Sequence, residues 1–179
     1  MYHIRNDRRT LRSAHTLYEG LMACLGHRPF DQVTISDVQH ESGVARTTFY
    51  RSFDNLSDLL AWRCDECFRE ALGSLGPDAF WDERRMLRRY FSYWMEHGDI
   101  LELLVKINRY DIVYASHRRV AGELRDRFGA IPGVDPAHGD YFIAVRTGFT
   151  LSVLTTWVEH GRAESIDDLI QIIGKLGLV

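Results

Sequence analysis

Residues 33–60 read VTISDVQHESGVARTTFYRSFDNLSDLL, and the rest of the chain is arranged around them. Thr34 followed three residues later by Asp37 forms a capping-box-like start, because the threonine oxygen can accept a backbone N–H that a first helical turn leaves unpaired. The spacing predicts a short helix over 35–42. Gly43 then supplies a residue free to take positive φ, and apolar Val44 can wedge between the helices on either side. A second short helix is expected over 46–51. Ile35, Val38, Val44, Phe49 and Phe53 fall on the inside of this pair, with Ser36, Arg46, Thr47, Thr48, Tyr50 and Arg51 outside. Two short helices joined by a tight glycine turn, apolar within and polar without, have the plan of a helix-turn-helix and predict DNA binding.

Thr34, Ile35, Val38, Gly43, Val44, Thr48, Phe49, Tyr50, Phe53, Asn55 and Leu59 together resemble the N-terminal signature of the TetR family of bacterial transcriptional regulators. That signature takes up about a quarter of the chain. The sequence departs from it at three places: Ala45 where a serine or threonine cap is usual, Ser52 where histidine or tyrosine is frequent, and Leu56 where a phosphate-contacting lysine is common. These departures bear on the strength of DNA binding more than on the fold.

The 179 residues suffice for a sizeable core in one or two domains, and 45% hydrophobic with 26% charged residues is ordinary for a soluble globular protein. No apolar run approaches the roughly 20 residues needed to span a bilayer, and the N-terminal MYHIRNDRRT is basic without a signal-like apolar segment, so a cytoplasmic location is expected. The net charge of -3 hides an asymmetry. Residues 1–53 hold seven arginines against five acids, which leaves an excess of five negative charges in the remainder. Charge that favours phosphate is thus concentrated at one end. Cys24, Cys64 and Cys67 are too few and too odd in number for a disulfide framework, and the isolated CxxC lacks a second pair to complete a zinc site. They are expected to be packed thiols. No metal or other cofactor is expected.

Leu11, Ala14, Leu17, Tyr18, Leu21, Met22 and Leu25 recur at helical spacing, predicting a first helix over 9–25 that completes a three-helix DNA-binding unit. Arg5, Arg8 and Arg9 form a basic arm able to reach phosphate or a minor groove, or to fray in solvent. Asn55 with Asp58 caps a fourth helix over 56–72, ended by Gly73, Gly76 and Pro77. Helical spacing continues over 80–97, then over 99–107 with Asp99 as cap, then over 111–128. In that last segment Val113, Val120, Leu124 and Phe128 share a side, and His117, Arg118, Arg119, Arg125 and Arg127 lie elsewhere. A loop over 129–136 leads to a helix over 136–160, started by Asp135 and Pro136. Ser165 and Asp168 cap the final helix. The expected fold is all-α, about nine helices: a helix-turn-helix DNA-binding domain over 1–54 and a helical effector-binding and dimerisation domain over 55–179.

The last two helices are apolar on more than one side, so a partner should cover the excess. In the TetR family, which the chain resembles, the last two helices pair with their symmetry mates, and the expected homodimer interface comprises Tyr141, Val145, Phe149, Val153, Trp157, Leu169, Ile172 and Ile173. The stretch from Tyr141 onward also resembles the C-terminal domain of the branch related to activators of dihydroxyacetone kinase operons. Motifs for metal hydrolysis, phosphate loops or a serine nucleophile are lacking, and His97, His117, His138 and His160 read as surface or helix-end residues, so enzymatic function is not expected. Two regulatory readings compete. One is a homodimeric repressor released by a small apolar or aromatic effector, with Tyr90, Trp94, Tyr110, Tyr114 and Phe149 as candidate pocket residues, accompanied in sequence by Trp81 and Phe91. The other is a partner-dependent activator or interaction protein with weak DNA binding. For a palindromic operator, Arg46 and Thr47 are expected at base edges, and Thr34, Ser36, Thr48 and Tyr50 at phosphates, with Arg51 beside them.

Overall fold

The computed structural model describes residues 2–4, 7–75, 82–128 and 134–175. Expectations placed on Arg5, Gly76, Pro77, Trp81, Leu176, the start of the segment predicted over 80–97 and most of the loop predicted over 129–136, and on the side chains of Leu124, Arg127 and Phe128, fall outside what is described. Among the described residues there are nine α-helices and no strand. In order they are α1 Arg8–Leu25, α2 Ile35–Ser42, α3 Arg46–Ser52, α4 Leu56–Gly73, α5 Glu83–His97, α6 Asp99–Lys106, α7 Tyr110–Phe128, α8 Gly139–Glu159 and α9 Ile166–Lys175. The chain divides into two compact units, Met1–Arg63 and Cys64–Val179, and the division falls inside α4.

In the N-terminal unit, Ala14, Leu17, Leu21, Val38, Phe49, Phe53, Leu59 and Leu60 are almost wholly buried. Phe49, Phe53 and Trp62 follow one another in tilted contact, with ring centroids 5.7 and 6.0 Å apart, and His15 closes the row edge to face on Trp62 at 4.9 Å. α1 lies so close to α2 that a Cβ at Gly20 would stand 2.8 Å from Ser42 Cβ and 3.0 Å from the Val38 carbonyl. Only glycine permits that approach. A single 3-10 turn, Phe30–Gln32, lies in the connection between the two helices.

In the C-terminal unit the core is built from Phe68, Leu87, Phe91, Trp94, Ile100, Leu104, Val113, Val120, Leu154, Ile170 and Ile173. Two local starts differ from expectation. Gly98 is the residue before α6 and no side chain caps that helix, so Asp99 lies in its first turn, where a carboxylate favours the unpaired N–H groups electrostatically. Asp135 does accept from the Ala137 N–H at 2.9 Å, but Pro136–His138 is a 3-10 turn and α8 proper begins at Gly139. At the last cap, the Ser165 hydroxyl donates to Asp168 at 2.6 Å and accepts the Asp168 N–H at 3.2 Å. α4 is fastened to α7 by charge: the fully buried Asp65 receives Arg119 at 2.6 and 3.0 Å, and Arg69 bridges to Glu123 at 3.0 and 3.2 Å.

Candidate nucleic-acid interface

α2 begins at a full capping box. The Asp37 N–H donates to Thr34 Oγ1 at 3.2 Å, and the Thr34 N–H donates back to Asp37 Oδ2 at 2.9 Å. The Thr34 hydroxyl hydrogen also goes to Asp37 Oδ2, at 2.6 Å, and Arg28 Nη1 reaches Oδ1 at 2.9 Å. The Thr34 hydroxyl and N–H, and then the Arg28 guanidinium, hold the Asp37 carboxyl below the usual carboxylate range. Because its hydrogen is already committed, Thr34 serves α2 first. Exposed Ser36 is the adjacent hydroxyl with a free approach from solvent.

Gly43 ends α2 in the left-handed conformation at φ 66° and ψ 8°, with its N–H on the Gln39 carbonyl at 3.0 Å. That turn aims α3. Ala45 precedes α3 without a side-chain cap; its carbonyl takes both the Thr48 and Phe49 N–H groups, at 2.9 and 3.2 Å, so the helix closes on backbone alone. Within α3, Phe49 is fully buried and Thr48 half-buried, while Arg46, Thr47, Tyr50 and Arg51 are exposed. Spacing of four residues brings Arg46 against Tyr50, the guanidinium carbon 5.4 Å from the ring centroid and Nη2 3.5 Å from the hydroxyl.

The three departures from the TetR pattern have distinct structural consequences. Ala45 leaves the first α3 N–H groups without a side-chain acceptor. Ser52 is buried, and its carbonyl receives the His3 N–H at 2.8 Å, tying the N-terminal segment to the end of α3. Leu56 is buried in the core and contributes apolar packing rather than a charge. Arg8 and Arg9 belong to α1 itself, which Asp7 caps by accepting the Thr10 N–H at 2.8 Å. The Arg28–Asp37 pair and the close approach at Gly20 are structural supports that no local motif announces.

Residues 17–61 match the family model for bacterial regulatory proteins, tetR family. The match supports a TetR-like DNA-binding transcriptional regulator. It runs from within α1, through α2 and α3, into α4, which are the elements just described. No curated protein matches the chain significantly.

Outside the TetR-like segment, the residues singled out from sequence separate into groups. Tyr90 and Trp94 are buried in the C-terminal core and Phe149 is half-buried, whereas Tyr110 and Tyr114 are exposed. Tyr110 donates its hydroxyl to Glu159 at 2.8 Å, and Tyr114 lines an open groove of about 640 Å³ with Ala115, Arg118, Arg119, Gly122 and Glu123. Of the expected dimer residues, Trp157, Leu169 and Ile173 are buried within the chain itself. Tyr141, Val145 and Ile172 remain exposed, at 75%, 70% and 49%, with Phe149 and Val153 half-buried beside them in sequence register. The three cysteines are buried, and none forms a disulfide.

One reading needs correction: His117 is neither a surface nor a helix-end residue. It is 4% exposed, and its ring lies between Thr147 Oγ1 at 2.9 Å from Nδ1 and Thr150 Oγ1 at 3.4 Å from Nε2. Its spacing from Val113 and Val120 on α7 was the available signal, since positions four and three apart share a helix face.

Proposed function

We propose that this chain is a homodimeric transcriptional repressor that binds a palindromic operator through α2 and α3 and is released by a small-molecule effector held in its C-terminal unit. The observation that carries the reading is the division of α3. Phe49 is locked into the core, and Arg46, Thr47, Tyr50 and Arg51 project from the same two turns into solvent. Arg46 and Thr47 suit base edges, since arginine can grip guanine with two hydrogen bonds and threonine offers a hydroxyl and a methyl. Ser36, Thr48, Tyr50 and Arg51 suit phosphate oxygens and set register. Thr34 supports them from within its capping box.

The stripe Tyr141, Val145, Phe149, Val153 on α8, at intervals of four, exposed at its first two positions and half-buried at the others, together with exposed Ile172 on α9, supports assembly of two copies. A second copy covering it would place two recognition helices on one DNA, about 34 Å or somewhat more apart for adjacent major grooves. Titrating the protein against DNA from upstream of its own gene, across low to moderate salt, tests the reading. Affinity should fall steeply as salt rises, because each phosphate contact releases a counterion. A salt-independent affinity, or a single-chain mass by light scattering at micromolar concentration, would sink it.

A partner-dependent activator is the second reading. It draws on the resemblance of the C-terminal stretch to the dihydroxyacetone kinase operon branch and on the open groove along α7, a surface suited to another protein. Operator binding that appears only with a co-purifying protein, and is indifferent to small molecules, would move it ahead.

A further inference from the structure

Two arginines stand exposed on α3, and they are held differently. Among the described residues, the Arg51 side chain makes no hydrogen bond, ion pair or ring contact. Arg46 is restrained. Its guanidinium carbon lies over the Tyr50 ring, 5.4 Å from the centroid, and Nη2 donates to the Tyr50 hydroxyl at 3.5 Å. Four residues separate the two, the spacing that brings side chains together on one helix face. The hydrogen bond is long, so the ring supplies more of the hold than the hydroxyl does. That ring is itself anchored: Tyr50 meets Phe49 edge to face, centroids 5.5 Å apart, and Phe49 is fully buried. Contact therefore runs from the core through Phe49 and Tyr50 to the tip of Arg46.

What holds an arginine decides what it can do next. A carboxylate partner would cancel its charge and would have to be displaced by DNA. The first turn of α3 has no acidic residue, and no ion pair to Arg46 occurs among the described residues. An aromatic face restrains the guanidinium while leaving its charge and most of its N–H donors exposed. Restraint matters more toward a base than toward a phosphate. Guanine accepts an arginine at O6 and N7 in one plane and from one direction, whereas phosphate oxygens can be met from many. Holding a long side chain near its docked geometry beforehand reduces the freedom it loses on contact. The restrained Arg46 thus suits a base edge, and the unrestrained Arg51 a phosphate.

We propose that Tyr50, through its ring, is a specificity-determining positioning residue that holds Arg46 for one guanine in each operator half-site. This role rests on the reading that α2 and α3 bind an operator, and adds to it the group that makes Arg46 selective. The Tyr50 hydroxyl has a separate use. Its oxygen accepts from Arg46, which leaves its hydrogen for a phosphate oxygen, so the ring serves selectivity and the hydroxyl serves affinity.

DNA selected from a random pool by the whole protein, with each guanine of a half-site replaced in turn by 7-deazaguanine, tests the role. That replacement removes the N7 acceptor. The guanine gripped by Arg46 is the one whose replacement weakens the parent protein but not Arg46→Ala. At that guanine, discrimination between guanine and 7-deazaguanine should fall about two- to fivefold in Tyr50→Leu, the worth of an exposed contact between a cation and a ring. In Tyr50→Phe the discrimination should persist while both DNAs bind more weakly. Tyr50→Gln repeats the measurement with a second helix-forming side chain; Tyr50 is 44% exposed, so neither change opens the core. Discrimination at the other guanines should not change, whereas a general loosening of α3 would lower it throughout. Undiminished discrimination in Tyr50→Leu and Tyr50→Gln, an equal loss in Tyr50→Phe, a loss spread over every guanine, or no guanine dependent on Arg46 would overturn the role and leave operator binding standing. Failure of the parent protein to select any DNA would overturn operator binding itself, and this role with it.

Discussion

Arg119→Met should destabilise the C-terminal unit more than Asp65→Asn, although both break the same ion pair. Asp65 is fully buried, whereas the Arg119 side chain is 36% exposed. Removing the guanidinium strands a carboxylate away from water, with Arg69 at 3.7 Å in place of the two close contacts that Arg119 makes. Loss of the main partner of a buried charge costs up to about 3–5 kcal/mol. In Asp65→Asn the amide retains the shape and one acceptor, and the freed Arg119 can turn to solvent, so the loss is that of a charged hydrogen bond, about 1.5–3 kcal/mol. Urea unfolding followed by far-UV circular dichroism and by tryptophan fluorescence would resolve the C-terminal transition, since two units need not melt together. The double variant should lose less than the sum of the single losses, because the second change removes a group whose main partner is already gone. Equal costs for the two single variants, or a greater cost for Asp65→Asn, would show that Asp65 is better solvated than its burial implies.

Three further outcomes follow from the geometry. Gly20→Ala gains about 1 kcal/mol of helix propensity but drives a methyl to 2.8 Å from Ser42 Cβ and 3.0 Å from backbone, an overpacking cost of about 1–3 kcal/mol. The N-terminal unit should therefore lose stability and operator affinity together, and an unchanged or raised melting temperature would refute the close approach. His117, pushed by burial and then by Arg146 from 6.5 to about 4, is protonated in the unfolded chain first. Stability should fall as pH drops from about 6.5 to 4, by about 3 kcal/mol in all, and His117→Gln should flatten that window; an equal slope in the variant would place the effect elsewhere. On DNA, Arg46→Ala should cost about 1–3 kcal/mol on the preferred operator and relax its sequence preference, whereas Tyr50→Phe should weaken good and poor operators by similar factors. Equal loss on every sequence for Arg46→Ala would make it a phosphate contact.

How much of this was readable in advance depended on how far apart in sequence the interacting residues lie. The capping boxes at Thr34 and Ser165, the glycine turn at Gly43 and the boundaries of α2 are interactions within a few residues, and local pattern determined them. The two-faced helix pattern likewise showed that α8 carries more apolar surface than one core can use. It did not show which side is spent inside the chain: Trp157, Leu169 and Ile173 go inward, and Tyr141, Val145 and Ile172 stay out, because only the packing of α5, α6 and α7 fixes that choice. The same holds for the buried polar groups. His117 and Thr147 stand thirty positions apart, and Asp65 and Arg119 fifty-four, so no periodicity links them. A charge or an imidazole on a helix reads as solvent-facing until tertiary structure supplies its partner from another helix. That pairing, which makes burial affordable, is what the fold alone decided.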